Sequence, residues 1–132
     1  EGVRSALAQA GMGDALTILP AHLTAETAHP AISQWLDETK AIPDGIIAAS
    51  DVIAMGALRA LSEHKVAVPG EVHVVGYDDL PFANQTVPPL TTIRQDLAAG
   101  AAHMVDLLFR RIAGENAGSV MLEPELVVRQ SS

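Results

Sequence analysis

Cysteine is absent from this 132-residue chain, which excludes disulfide bonds and thiolate metal sites. Aromatic residues are scarce, with one Trp, one Tyr and two Phe, so aliphatic side chains must build the core. No long apolar run occurs, because Gly, Pro or charged residues interrupt every apolar stretch. We therefore expect no membrane span.

Positive charge is scarce as well. Eight Lys and Arg stand against sixteen Asp and Glu, which gives a formal net charge of −8 and a pI near 4.9. Such a chain lacks the basic surface with which proteins contact phosphate backbones, so we expect these residues not to bind DNA by themselves. The hydrophobic content of 48% and the length indicate one globular domain.

The chain alternates apolar strands with amphipathic helices. Strands or extended segments are predicted at Leu16–Leu19, Gly45–Ala49, Val72–Tyr77, Leu90–Arg94 and Val120–Arg129, with Gly45–Ala49 fully buried. Helices are predicted at Val3–Ala10, Thr24–Lys40, Val52–Lys65 and Leu97–Ala113. This alternation predicts an α/β fold, a parallel sheet with helices on both faces.

Polar side chains follow two of the predicted strands. Asp78 and Asp79 come directly after Val72–Tyr77, and Ser50 and Asp51 end the strand before it. Open α/β sheets bind ligands at the carboxyl ends of their strands, where a carboxylate can accept hydrogen bonds from sugar hydroxyls or a base N–H. Since neighbouring side chains diverge, we expect Asp78 in the pocket and Asp79 in a structural role. Ser50 is predicted to enter the same cleft, and Asp51 to cap the next helix.

Sequence signals for catalysis or metal binding are missing. The five histidines do not have metal-ligand spacing; one of them, His73, lies in a predicted strand, where burial is open to it. No GxSxG, Walker or GxGxxG motif occurs. An acid–base pair of Asp78 and Asp79 lacks an accompanying nucleophile or second acid. We predict no catalytic residue, no metal and no cofactor.

Four sequence blocks, taken in order, resemble the effector domain of LacI/GalR-type transcriptional regulators. They are Gly45–Leu61 (GIIAASDVIAMGALRAL), Val68–Asp79 (VPGEVHVVGYDD), Pro88–Gln95 (PPLTTIRQ) and Leu122–Ser131 (LEPELVVRQS). The resemblance implies a periplasmic-binding-protein-like lobe, as a fragment of a two-lobed domain. It further implies that the chain is the C-terminal portion of that domain.

The resemblance also implies how the chain is divided between the two lobes. Residues 1–91 and 114–132 would form the C-terminal lobe, while residues 92–113 would be a crossover and a helix of the other lobe. The helix Leu97–Ala113 would then expose an apolar face that monomers seldom carry. We expect it to fold back on its own lobe or to pack against another copy of the chain.

For the ligand site, the resemblance implies effector contacts by Ser50, Asp78 and Gln95. Family members often place an aromatic stacking residue at the position of Leu23. The implied effector is a small molecule, a sugar or a nucleobase.

For assembly, the resemblance implies a homodimer with an interface formed by Met55, Arg59, Leu80, Phe82 and Gln85. DNA would be bound only through an N-terminal helix-turn-helix outside these residues, and the protein would be cytoplasmic. The alternative function is that of a periplasmic sugar-binding protein that serves a transporter.

Overall fold

The computed structural model describes residues 1–132, which form four α-helices and four strands. The helices are α1 (Gly2–Gln9), α2 (Ala25–Thr39), α3 (Asp51–Glu63) and α4 (Leu97–Ile112). The strands are β1 (Gly45–Ile47), β2 (His73–Tyr77), β3 (Thr91–Arg94) and β4 (Glu125–Val127). Short 3-10 turns lie at Gly13–Ala15 and Pro81–Asn84.

The sheet has the order β1-β2-β3-β4. Strands β1, β2 and β3 are parallel, and β4 pairs antiparallel with β3. The α/β class is confirmed, but the sheet is mixed where a parallel one was predicted. The difference arises after β3, because the chain re-enters the sheet at the end where β3 leaves it, with Arg94 paired to Glu125.

Helices α2 and α3 pack against each other and supply most of the core, together with β2. Their close approach requires Gly56, since a β-carbon there would lie 2.9 Å from the Ala28 methyl group. Along β2 the side chains alternate, so that Val74 is buried while His73 and Tyr77 are exposed. His73, for which burial in the strand was left open, is therefore exposed at the start of β2.

Two predicted strands differ from the structure. Residues 16–19 form no strand, and Ile18 is 63% exposed, because these apolar residues find no neighbouring strand to pair with. The strand predicted as fully buried over Gly45–Ala49 is shorter, and its Ile47 is 63% exposed. Strand β1 lies at the edge of the sheet, so its side chains are covered less than those of β2.

Helix α4 has no buried residue, and its apolar side chains Met104, Phe109 and Ile112 are all about two-thirds exposed or more. The helix contacts the segment of residues 120–124. At this contact, a β-carbon added to Gly100 of α4 would lie 3.4 Å from a methyl group of Leu122. The helix therefore does not pack into the core of its own lobe, and its packing against another copy of the chain stays a prediction. None of the four helices combines the length and apolar character needed to cross a membrane.

Candidate functional site

The parallel strands bring the predicted contact residues to one edge of the sheet. In the sheet, Ile47 of β1 pairs with Val75 of β2. Ser50 lies three residues after Ile47, and Asp78 lies three residues after Val75. Gln95 follows directly after β3, the next strand in the sheet. Side chains from three consecutive strands are thus placed at the carboxyl edge of the sheet, with Gln95 one residue beyond the level of Asp78.

Asp78 and Gln95 are in direct contact. The amide Nε2 of Gln95 donates a hydrogen bond to Oδ1 of Asp78 over 3.2 Å, while the backbone N–H of Asp78 donates to the carbonyl of Ile93 over 2.8 Å. Asp78 has a φ of +109°, a region that residues other than glycine rarely occupy. This conformation turns the carboxylate out of the strand's alternation and presents it at the edge of the sheet.

Asp79 points the other way and is held by two arginines. Its side chain is 10% exposed; Oδ1 lies 2.6 Å from Nη2 of Arg129, and Oδ2 lies 2.7 Å from Nε of Arg94. Burial by itself raises the pKa of Asp79, but the hydrogen bonds and charges of Arg129 and Arg94 outweigh it and lower that pKa below its usual value. The structural role predicted for Asp79 is confirmed.

Ser50, and not Asp51, caps helix α3. Ser50 is the N-cap of α3, and its Oγ accepts a hydrogen bond from the N–H of Ile53 over 3.3 Å. Asp51 is fully buried and accepts from the Leu80 N–H at 2.7 Å and from the Thr92 hydroxyl at 2.5 Å. The prediction that Asp51 caps the helix is wrong, because the helix begins at Asp51 itself and the cap position falls on Ser50.

Ser50 stays at the carboxyl edge, but it is 8% exposed and its hydroxyl is engaged in the cap. Leu23, in contrast, is 69% exposed in the segment before α2 and belongs to no part of the buried core. The structure therefore brings Asp78 and Gln95 together, places Ser50 beside them along the strand edge, and leaves Leu23 as an exposed apolar side chain.

A cavity of about 330 Å³ lies beside this edge, between the end of β2, α4 and the segment of residues 120–124. Gln95 and Tyr77 line it on the side of the sheet, and Met104, Leu107 and Leu122 line it on the side of α4. The cavity is mostly apolar with the Gln95 amide at its border. No group of three or more His, Asp or Glu side chains is arranged to hold a metal ion.

A second depression, of about 580 Å³, collects most of the residues predicted at a dimer interface. Met55, Arg59, Phe82 and Gln85 line it between α3 and the turn after β2. The fifth, Leu80, is half-buried and does not line the depression, and its backbone N–H donates to Asp51. Val87, which sequence analysis did not single out, belongs to the lining and is 92% exposed.

Sequence comparison gives matches over the whole chain. The family model for the periplasmic binding protein-like domain matches residues 1–132. The HTH-type transcriptional regulator CelR of Thermobifida fusca is 37% identical over an alignment of 134 positions, which covers 99% of this chain and 39% of CelR. The HTH-type transcriptional repressor PurR of Histophilus somni is 36% identical over 92 residues, 68% of this chain and 28% of PurR.

Comparison of structures gives the same group of proteins. A CelR–cellobiose complex superposes with a TM-score of 0.87 at 36% identity, over 99% of this chain and 41% of that one. The Lac repressor bound to ONPG superposes with a TM-score of 0.89 at 29% identity, over 99% of this chain and 40% of that one. The chain therefore spans about two fifths of the length of these relatives.

Proposed function

Since this chain belongs to the periplasmic binding protein-like domain family, we propose that it is the effector-sensing and dimerisation part of a LacI-type DNA-binding transcriptional regulator. One observation supports this function most directly: Asp78 and Gln95 form a hydrogen-bonded pair at the carboxyl edge of the sheet. The neighbouring Asp79 and Arg94 are paired with each other, so the Asp78 and Gln95 side chains are left to contact a ligand.

The effector that this edge suits best is a sugar. Asp78 offers a second carboxylate oxygen to a pair of hydroxyls, and the amide of Gln95 can both donate and accept. Ser50 would add a hydroxyl if a ligand replaced its capping bond, and Leu23 would add apolar contact in place of an aromatic ring. A structural relative that superposes over 99% of this chain is a complex with cellobiose. Cellobiose is therefore the first compound to test.

Helix α4 belongs, in this proposal, to a second lobe. Residues 1–91 and 114–132 form the C-terminal lobe, and residues 92–113 cross over and supply one helix to its counterpart. The exposed apolar side chains of α4 support this division, because single domains seldom leave such a face to solvent. The additional length of the relatives is sufficient to supply the partner lobe.

The mechanism follows from a ligand held between two lobes. A sugar that binds Asp78 and Gln95 on one side and the second lobe on the other favours one angle between them. In a homodimer this angle sets the spacing of two helix-turn-helix heads, which lie outside these residues, and so the affinity for DNA. Such a regulator acts in the cytoplasm. The relatives' names, HTH-type regulator and repressor, favour this function over a transporter's binding protein.

The dimer surface is proposed at the depression between α3 and the turn after β2. Met55, Phe82 and Val87 supply apolar area there, while Arg59 and Gln85 supply hydrogen-bond donors at its border. Arg59 is already paired with Glu63 over 2.9 Å, which leaves its remaining guanidinium N–H groups for a partner. Leu80 would contribute to the dimer only by holding the turn in place.

The test uses the full-length protein that contains this chain. Fluorescence anisotropy measures its binding to DNA from its own promoter region, and the titration is repeated with cellobiose, lactose or guanine. We expect DNA binding in the nanomolar range and a change of at least about tenfold with one of the sugars. Response to guanine alone would reassign the effector to nucleobases. If the protein binds no DNA but binds one of the sugars in a separate calorimetric titration, the transporter function would be supported instead.

A further inference from the structure

Four charged side chains form a continuous chain behind the candidate site. Arg129 contacts Asp79, Asp79 contacts Arg94, and Arg94 reaches Glu125 over 3.1 Å. These residues come from β3, from β4 and the residues after it, and from the turn after β2, so the network joins three neighbouring parts of the sheet. Arg129 is also fixed by a second bond, since its Nη1 donates to the carbonyl of Leu90 over 2.7 Å.

The turn that this network holds has an unfavourable backbone. Asp78 and Asp79 are consecutive residues with φ of +109° and +52°, both in the left-handed region. Such conformations persist only where surrounding contacts determine them. The contacts of Asp79 are the two arginines, whereas the side chain of Asp78 has only the exposed bond from Gln95.

We propose that Arg129 is a positioning residue of the effector site: through Asp79 it fixes the left-handed turn that directs the Asp78 carboxylate toward Gln95 and the ligand. This inference rests on the proposed function, because it assigns Asp78 and Gln95 to the ligand. Arg94 shares the role from the other side and precedes Gln95 directly, so the same ion pair fixes both contact residues. Arg129 itself does not touch Asp78.

The geometry also predicts how Arg129 substitutions differ. Arg129→Met leaves Asp79 with Arg94 alone and removes the bond to the Leu90 carbonyl. Arg129→Lys keeps one charge but cannot make both bonds as the planar guanidinium does. The double variant Arg129→Met with Asp79→Asn removes the mostly buried Asp79 charge, which Arg94 alone would compensate, but restores no positioning of the turn.

The experiment measures three quantities on the full-length protein: thermal unfolding, cellobiose affinity by calorimetry and hydrogen exchange at the amides of Asp78 and Leu80. The Asp78 N–H donates to Ile93 and the Leu80 N–H donates to Asp51, so both report on the turn. One control is Arg110→Met, which removes an arginine paired to Glu115 over 3.0 Å on α4. A second is Leu36→Ala, which destabilises the core away from the turn.

We expect Arg129→Met to raise exchange at Asp78 and Leu80 by about tenfold and to weaken cellobiose binding by a similar factor. Arg129→Lys should recover part of both effects. Leu36→Ala should lower the unfolding temperature without changing hydrogen exchange at the turn or cellobiose affinity. Arg110→Met should change none of these three quantities. The double variant should regain unfolding temperature relative to Arg129→Met while cellobiose binding stays weak.

Two results would overturn the proposal. The first is that Arg129→Met leaves hydrogen exchange at Asp78 and Leu80 unchanged. The second is that Leu36→Ala, with the same loss of unfolding temperature as Arg129→Met, loses as much cellobiose affinity. If the unsubstituted protein binds no cellobiose, the assigned ligand is wrong and the exchange measurement alone decides. Fast exchange confined to the turn would then still support the positioning role of Arg129.

Discussion

Gly76 packs directly against the carboxylate of Asp51, which lies 25 positions earlier in the chain. A β-carbon at position 76 would overlap an oxygen of that carboxylate, so only glycine fits there. The same β-carbon would lie 2.9 Å from a methyl group of Leu90. Gly76 therefore allows β2 to pass directly against the buried carboxylate. That carboxylate in turn holds the Leu80 N–H and the Thr92 hydroxyl near the candidate site.

The substitution Gly76→Ala tests this contact. The added methyl group forces the Asp51 carboxylate away from its two donors, and we expect a loss of about 3 kcal/mol in the free energy of unfolding. Urea denaturation measures the loss. Gly118→Ala is the control, because nothing lies within 4 Å of a β-carbon there. Equal stability of the two variants would contradict the close packing of Gly76 against Asp51.

The buried bond between Thr92 and Asp51 gives a second prediction. Thr92→Val keeps the side-chain shape but leaves Oδ1 of Asp51 without a donor, which should cost about 2 kcal/mol in the free energy of unfolding. Thr86→Val is a comparison at a half-buried hydroxyl whose partners are backbone carbonyls. A double-mutant cycle of Thr92→Val with Asp51→Asn should show strong coupling. Additive effects would mean that the two side chains do not interact.

The roles of Ser50 and Asp51 show where sequence analysis reached its limit. Both residues were placed at the end of β1 and the start of α3, because strand and helix periodicities fix their positions along the chain. The donors to Asp51, however, are 29 and 41 residues away in sequence, at Leu80 and Thr92. Only the assembled sheet brings Leu80 and Thr92 to Asp51. Capping preferences depend on neighbouring residues in the sequence, so they predicted the wrong partner for the Asp51 carboxylate.

Arg129 was missed for a similar reason. Its position after β4 gives no local sign of a contact with Asp79, 50 residues earlier. A signal was nevertheless present, since Asp78 and Asp79 form a carboxylate pair in a chain with only eight Lys and Arg. A buried carboxylate needs a cation or several donors, and few arginines were available to supply one. Helices α2 and α3, which depend on local periodicity, were predicted almost to their ends.

The pH dependence of stability should reflect the Asp79 ion pairs. Arg129 and Arg94 lower the pKa of Asp79 in the folded protein below its ordinary value of 3.8. Their stabilisation is therefore fully present above pH 3.8 and is lost as the pH falls through the lowered folded-state pKa. Urea denaturation of the unsubstituted protein and of Asp79→Asn, from pH 6 downward, measures this difference.

We expect the unsubstituted protein to be the more stable of the two above pH 3.8, and the difference to shrink as the pH falls below that value. Glu63, whose pKa is lowered by Arg59 and then by His29, contributes to acid sensitivity in both proteins and so cancels in the comparison. A difference that is independent of pH would show that the charge of Asp79 is not responsible.

The proposed dimer surface is tested at Val87. This side chain is 92% exposed, so Val87→Glu should not disturb the fold of the protomer, yet it places a charge into the proposed contact. Sedimentation of the full-length protein should show a dimer dissociation constant raised by at least about tenfold relative to that of the unsubstituted protein. Ile42→Glu, at a half-exposed apolar residue outside the depression, should leave the dimer intact. An unchanged dimer in Val87→Glu would place the interface elsewhere.

Sugar binding at Asp78 is the central claim, and a calorimetric titration of the full-length protein with cellobiose tests it most directly. Asp78→Asn preserves the size of the side chain and tolerates its left-handed backbone, but it removes the charge that accepts hydroxyl bonds. Asp14→Asn, at an exposed aspartate in the turn after α1, is the control. We expect the unsubstituted protein and Asp14→Asn to bind alike, and Asp78→Asn to bind about 30-fold more weakly. Equal affinity of Asp78→Asn and the unsubstituted protein would contradict the assignment of this strand edge as the effector site.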